Sequence, residues 1–473
     1  MTHFRKITFY FICQLVCCCC YSQTQQPVSP SFSFINKSIE HFGESIRIRT
    51  VSYDEHGRMD SAEFFHFRNF LEESYPLVHA NLKRIVINEF SLIYEWKGKD
   101  SSLAPYILLA HSDVVPVEPE SVSLWKAPPF GGEIKNDTVW GRGTVDDKGS
   151  LIAILEAAEY LLSQKFQPDR TIYFCFGHDE EASGIMGAKE IVSWLKQQNV
   201  RAQLVLDEGL EVMKKNYSGF KNPVALIGVG EKGYASFELT VQKPGGHSSV
   251  PEHETSIDIL IKGLARLQKN QMPAKLIRPV REFLQGIKPN VSPSVRFAIN
   301  HQWLFKRALI RHFQMNPVTN AIVRTTIVTT VINSGVKDNV IPSVAKAIVN
   351  SRILPGETTN DVENFITHTI NDPRILIRTT GHWWNPSGFT STAGAAFRRI
   401  QSLVKEFFPG ANPVPFIVIG ATDSRYYRSL SDGVINFNPV IDSQGFHGIN
   451  ERRSIADFER MIHFYIQLIK NPG

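Results

Sequence analysis

Cysteine is almost missing from this chain outside one short stretch. Of six cysteines, Cys13 and Cys17 to Cys20 fall inside an apolar segment near the start, which leaves Cys175 alone in the rest. If that segment is a cleaved leader, the mature chain can form no internal disulfide, and stability must come from a buried core. Long hydrophobic runs are scarce too. Apart from Ile7 to Tyr21, shorter than the ~20 apolar residues a bilayer span needs, no segment reads as membrane-crossing. Long same-sign charge blocks are also lacking. The 51 basic and 46 acidic residues are interspersed, so the net charge of +5 offers no groove for a polyphosphate backbone and argues against a nucleic-acid partner. What remains, 42% hydrophobic and 21% charged over 473 residues, is an ordinary globular composition sufficient for two or three domains.

The apolar segment has a direction. Arg5 and Lys6 precede it and the polar SQTQQPVSP follows, the charged, apolar and polar order of a secretory leader, so residues 1–23 are expected to be a signal peptide. Asn36, Asn136, Asn216 and Asn290 each open an N-x-S/T triplet, the last weakened by Pro293. Together these predict a glycosylated, secreted or secretory-pathway protein with no stable membrane span once the leader is removed.

Further along, short β-rich runs alternate with helical patterns: Tyr106 to Ala110, Lys148 to Gln164, Thr171 to Phe176, Gly184 to Gln198, Gln203 to Leu206. Leu151, Ile154, Leu155, Ala158, Leu161 and Leu162 fall on one stripe of the first helix. The order predicts an α/β fold with a mixed, largely parallel sheet and helices on both faces. From about Glu231 the rhythm becomes strand (Tyr234 to Val241), helix (His253 to Lys269), strand (Ile322 to Asn333), strand (Val344 to Ile353), helix (Thr359 to Asn371) and strand (Arg374 to Thr379). That is βαββαβ, a compact α+β unit inserted into the first domain. The first pattern then resumes with Thr392 to Phe408, Val414 to Ile419, Val434 to Phe437 and a closing helix, Ser454 to Lys470. The expected division is 30–230, an insertion at 231–382, and 383–473. Pro273 to Asn320 interrupts the insertion with many apolar residues; the plainer reading is a helical elaboration burying its own apolar face, and the sharper one a substrate-lining wall.

The acids and histidines gather at strand ends, where open α/β sheets place their sites. His111 ends a strand with Asp113 two positions on, so the imidazole can bind a metal while the carboxylate orients it. Asp146 sits in GRGTVDDKG, whose glycines permit tight turning before a helix. Glu180 and Glu181 follow a buried strand, and adjacent acids there are costly without compensating charge, which two divalent cations would supply. With Glu181 as a ligand, Glu180 stays free to move a proton. Asp207, ending LVLD, can join His111 on one ion, His447 can join Glu181 on the other, and Asp146 can bridge; Glu208 is an open alternative to Asp207. Three carboxylates and one hydroxide then balance two divalent cations. Taken singly, each signal has a bland reading: a satisfied strand-end histidine, a surface acid, an acid pair in a helix's first turn.

In this order the motifs also resemble the dizinc peptidase family that includes aminoacylase, carboxypeptidase S and N-fatty-acyl-amino-acid synthase/hydrolase. The resemblance covers nearly the whole mature chain. It implies an enzyme with two Zn²⁺ held by His111, Asp146, Glu181, Asp207 and His447, with Glu180 as general base and a cis peptide bond after Asp146. It makes the insertion a lid or dimerisation domain. His247 in PGGHSSVP would stabilise a tetrahedral oxyanion after closure or across a homodimer, and Asn339 and Arg352 would grip a substrate carboxylate. GATDSR places Gly420, Thr422 and Asp423 beside the pocket, departing from the family's Gly-Gly form at Ala421. The implied substrate is a small molecule, an N-acyl amino acid or a short peptide, with N-fatty-acyl amino acids expected first. A metal-free scaffold of the same fold would be expected to lack a ligand or the base, and every position is filled here.

Overall fold

Strand Tyr106–His111 lies at the middle of the larger sheet and shows how the sequence builds it. Tyr106, Leu108 and Ala110 enter one hydrophobic core, and Ile107 and Leu109 enter another on the opposite face. Strand Ile172–Gly177 divides the same way, with Phe174 and Phe176 on one side and Tyr173 and Cys175 on the other. Side chains alternate along a strand, so a sheet covered on both faces demands these unbroken apolar runs. The computed structural model describes residues 32–53, 59–214, 220–441 and 443–470. The signal-peptide segment and Asn216 lie outside them.

The sheet runs Lys83–Ile87, Ser91–Trp96, Ile172–Gly177, Tyr106–His111, Leu204–Asp207, Val434–Asn436, Val224–Glu231 and Asn412–Val418, with the short Val212–Met213 beside Val224–Glu231. Its centre is parallel: Tyr106–His111 pairs in parallel with both neighbours, as does Val434–Asn436 with Leu204–Asp207. The outer Lys83–Trp96 hairpin is antiparallel. The expected α/β class holds.

Helix Lys148–Ser163 differs from the single stripe expected. Ile152, Ala153 and Ala157 are buried together with Leu151, Ile154, Leu155 and Ala158. The cause is a second layer: helices Phe32–Arg47 and Ile455–Lys470 pack over it. Its buried Glu156 accepts from Ser38 Oγ at 2.7 Å and Tyr75 Oη at 2.9 Å and lies 2.7 Å from His41 Nδ1, which ties the N-terminal helix down.

A second, four-stranded sheet is wholly antiparallel, in the order Thr326–Ser334, Val344–Ile353, Gly233–Gln242, Ile375–Trp384. Ile259 of helix Ser256–Lys269 and Ile366 of helix Thr359–Ile370 share its own core with Phe237, Leu239 and Val349. The βαββαβ order is as read, with one correction. Ile322 is not in a strand: Asn316 caps helix Pro317–Val323 through its side chain, and the strand starts at Thr326.

Four helices fill the long interruption: Arg278–Gly286, Pro293–Asn300, Gln302–Phe313 and Pro317–Val323. Val280, Phe283, Leu284, Leu309 and Phe313 pack on Val414 and Phe416 of the larger sheet's edge strand, which is the plainer reading of this segment. Asn36 and Asn136 are exposed, whereas Asn290 is buried, which closes that triplet to a glycan in the folded chain. Among the described residues no helix is long and apolar enough to cross a membrane.

Candidate metal centre

His111 emerges from its strand with Nδ1 3.0 Å from the backbone oxygen of Asp113 and 3.3 Å from Asp113 Oδ1, which turns Nε2 inward. Asp113 is buried and held in place itself. Ser52 Oγ donates to its Oδ2 at 2.5 Å, and the backbone N–H groups of Glu180 and Glu181 donate to its two oxygens at 3.1 Å each. One carboxylate thus orients a histidine and anchors the turn carrying the acid pair. Burial pushes Asp113 up, but hydrogen bonds from His111 and Ser52 outweigh it and hold the carboxyl below its ordinary value.

Asp146 stands between two histidines, its Oδ1 2.9 Å from His111 Nε2 and its Oδ2 2.8 Å from His447 Nε2. The peptide bond that follows it is cis. Around it His111, Asp146 and Glu208 form one set of ligand atoms, and Asp146, Glu181 and His447 a second, each with its atoms within 4.8 Å of one another. Glu208 Oε1 is 3.4 Å from His111 Nε2, and Glu181 Oε2 is 3.3 Å from His447 Nε2. Two sets of nitrogen and carboxylate donors sharing Asp146 suit divalent-cation binding.

Asp207 belongs to neither set. Its Oδ2 accepts from Thr422 Oγ1 at 2.7 Å and from Ser424 N at 2.8 Å, while Glu208, the alternative left open, reaches the cluster. Strand parity explains why the two neighbouring acids face opposite ways. Asp207 follows Val205 onto the sheet face covered by helix Ser424–Tyr427, whereas the next residue points the other way.

The charge of the site asks for cations. Burial raises Glu180 well above the usual carboxylate range, with Asp423 and Glu181 adding to it, and burial and the nearby Asp146 and Asp147 do the same to Glu208. Burial and Asp146 push Glu181 up to about 7. Contacts with Asp146 and Glu181 push His447 up to about 10. Glu181 Oε1 is buried without a hydrogen-bond partner. Buried acids crowded this closely with an unmatched oxygen fit a metal centre.

The loop carrying Asp146 is fastened by the last motif of the chain. Buried Glu451 Oε1 accepts from the N–H groups of Gly143 (3.0 Å), Val145 (2.7 Å) and Asp146 (3.2 Å), and Oε2 accepts from Arg142 at 2.5 Å. Arg453 donates to the carbonyls of Thr144 and Val145. Sequence reasoning missed both roles, although both residues lie in the FHGINERR segment it singled out.

A cleft of about 840 Å³ opens over the cluster between the two sheets, lined by Asp146, Glu180, Glu181, Glu208 and His447 on one side and Tyr234, Arg352 and Trp384 on the other. Arg352 lies 4.8 Å over the Tyr234 ring, Tyr234 stacks on Trp384 at 4.9 Å, and Arg425 caps Trp384 at 4.7 Å. This column of two arginines and two rings was also missed; GATDSR ends on Arg425, which was the signal available. Gly420 and Thr422 line the cleft as expected. Asp423 is buried beside Gly177 and Gly184. His247 and Asn339 are not brought to it. His247 sits exposed on a two-stranded ribbon, Gly246–His247 against Val340–Ile341, with its Nδ1 2.7 Å from Ser249 Oγ, and exposed Asn339 accepts there from Ser248 N through its carbonyl.

Known proteins share this fold. A Sulfolobus solfataricus M20 family metallo-carboxypeptidase superposes with TM-score 0.69 at 18% identity, covering 91% of this chain and 98% of that one. Human carnosine dipeptidase 1 superposes with TM-score 0.65 at 13% identity, covering 92% and 97%. In sequence, the chain is 38% identical to "Probable carboxypeptidase S-like 2" of Dictyostelium discoideum, over 91% of this chain and 84% of that protein. It is 37% identical to "N-fatty-acyl-amino acid synthase/hydrolase PM20D1" of Xenopus tropicalis, over 92% and 85%. Fold, acid-rich centre and relatives define a metal-dependent amide-bond hydrolase. Residues 107–471 match the profile of peptidase family M20/M25/M40, and the chain belongs to that family.

Proposed function

We propose that this protein is a secreted dizinc hydrolase that cleaves, and in reverse forms, the amide bond of N-acyl amino acids bearing a free carboxylate, with N-fatty-acyl amino acids as the preferred class. The carrying observation is the composition of one cleft: a metal-ligand cluster at its floor, Arg352 on its wall, and an apolar surface from Leu210, Ile348, Val418, Ile419 and Phe446 beside them. In this reading His111, Asp146, Glu208, Glu181 and His447 hold the two ions. When bound, the zinc pair would polarise the scissile carbonyl and ease deprotonation of water.

The chain's own groups do the rest. Arg352, braced on Tyr234, pairs with the substrate carboxylate through its planar fork. Glu180 takes a proton from the attacking water and returns it to the departing nitrogen. His247 donates to the tetrahedral oxyanion, and since it stands outside the cleft, it arrives by closure of the 231–382 insertion or from a second copy. A homodimer is supported by Val328, Val331 and Ile332 exposed on the edge strand of the four-stranded sheet, with Ile261 exposed on helix Ser256–Lys269. Carboxypeptidase S-like cleavage of short peptides is the second reading, favoured by the Dictyostelium relative. Turnover of an N-oleoyl amino acid against an N-blocked dipeptide by zinc-loaded enzyme separates them. Faster cleavage of the acyl substrate is expected, and turnover of the peptide alone would reject the first reading.

A further inference from the structure

Helix Gln302–Phe313 belongs to the layer packed on the larger sheet, yet only one of its faces is used. Leu309 and Phe313 enter the core, while Trp303 is 81% exposed and Leu304 60%. At helical spacing Trp303, Leu304, Arg307, Ala308 and Arg311 share the outward arc, with Trp303, Arg307 and Arg311 one turn apart in succession. Phe297 on the preceding helix is 55% exposed, and Met315, just beyond the end of this one, 77%. Single exposed apolar side chains are ordinary; several large ones within one short helical segment mark a contact surface.

The charge along this stretch of sequence has one sign. Between Glu282 and Asp338 the sequence has no acidic residue at all, although it carries seven Lys and Arg residues. Apart from the adjacent Lys306 and Arg307 they are spaced among uncharged residues, so they form no long block. Lys306, Arg307 and Arg311 are exposed and make no ion pair among the described residues. An outward face that mixes Trp and Leu with arginines and excludes acids is complementary to an apolar boundary bearing negative charge.

We propose that this face docks the enzyme on an anionic phospholipid surface, with Trp303 and Leu304 entering the headgroup region and Arg307 and Arg311 pairing with lipid anions. Trp suits the boundary because its ring is apolar and its N–H can stay hydrated. The helix is already fixed through Leu309 and Phe313, so docking requires no folding of the segment and little ordering cost. The inference is independent of which amide the cleft hydrolyses.

The test is co-sedimentation of the full zinc-loaded chain with phosphatidylcholine vesicles and with vesicles containing about one-third phosphatidylserine. Binding to the anionic vesicles, weakened by salt, is expected. Arg307→Gln with Arg311→Gln should lower apparent affinity about 30-fold, given the contribution of each basic residue near such a leaflet. Trp303→Ser with Leu304→Ser should also release the protein. Turnover of a water-soluble substrate should be unchanged in all variants, which shows that they are folded. No sedimentation, equal binding to both vesicle types, or binding that neither variant weakens would overturn the proposal. So would light scattering showing that the face is taken up in a dimer that Trp303→Ser with Leu304→Ser dissolves.

Discussion

At Glu180 the chemistry and the metal centre can be separated experimentally. Its carboxylate lies in the cleft 3.9 Å from Arg425 and belongs to neither ligand set, so Glu180→Gln should keep the metal while turnover falls by about 10²–10⁴. Metal content and turnover measured on the same sample test this; near-wild-type turnover with full metal would reject the role. Glu181 and His447 carry a second expectation, for stability against pH in the metal-free protein. Glu181 is raised from 4.5 to about 7 and His447 from 6.5 to about 10. In both windows the folded state binds more protons than the unfolded one, so stability falls as pH rises, first through the Glu181 window and then through that of His447. Metal-free protein should therefore melt at progressively lower temperature as pH rises through the Glu181 window, 4.5 to about 7; above it the depressed Lys148 and Lys232, each at about 7, oppose the His447 contribution. Metal-loaded protein should show a much weaker trend, because cations replace those protons. Melting curves at several pH values compare the two. At this scale the gathering of His111, Asp146, Glu181 and His447 was legible because each stands in a motif whose residue types suit one chemistry. Which of the adjacent acids Asp207 and Glu208 faces His111 was not, since only the direction of the side chains at the strand end separates them.

Among the elements, the Gly141–Asp146 loop depends most on a distant partner. Glu451 is fully buried with Arg142, so Glu451→Gln would leave a buried guanidinium unpaired at a cost of about 3 kcal/mol. It would also slacken the three backbone bonds that aim Asp146. Urea unfolding should show the loss, and metal affinity should fall by about 10–100-fold. A variant with wild-type stability and affinity would show that the loop holds its shape alone. The parallel strands, the four strands of the insertion and the closing helix were legible because continuous apolar runs and periodicity of 2 or 3.6 encode them directly. Phe458, Met461, Ile462, Tyr465 and Ile469 are all buried on the helix that their spacing announces. Helix Phe32–Arg47, the Lys83–Trp96 hairpin and strand Val224–Glu231 were not identified. The first two carry charged and polar residues among the apolar ones. The third, VALIGVGE, sits where the pattern shifts to the insertion and has two glycines.

For the molecule as a whole, the cleft draws its walls from both sheets, yet His247 stands apart from it. If a second copy supplies His247, mixing Glu180→Gln with His247→Ala protein, each inactive alone, should restore about a quarter of wild-type activity, since random exchange makes half the dimers mixed with one complete site each. No recovery after subunit exchange would assign His247 to closure of its own chain. Neither outcome alters the centre beneath it. The most direct measurement there is the divalent metal content of the purified protein, followed by activity after chelation and readdition. Two ions per chain are predicted, with loss of metal in Glu181→Ala and His447→Ala, loss of turnover on chelation and recovery with zinc. Full turnover by protein stripped of metal would contradict the account.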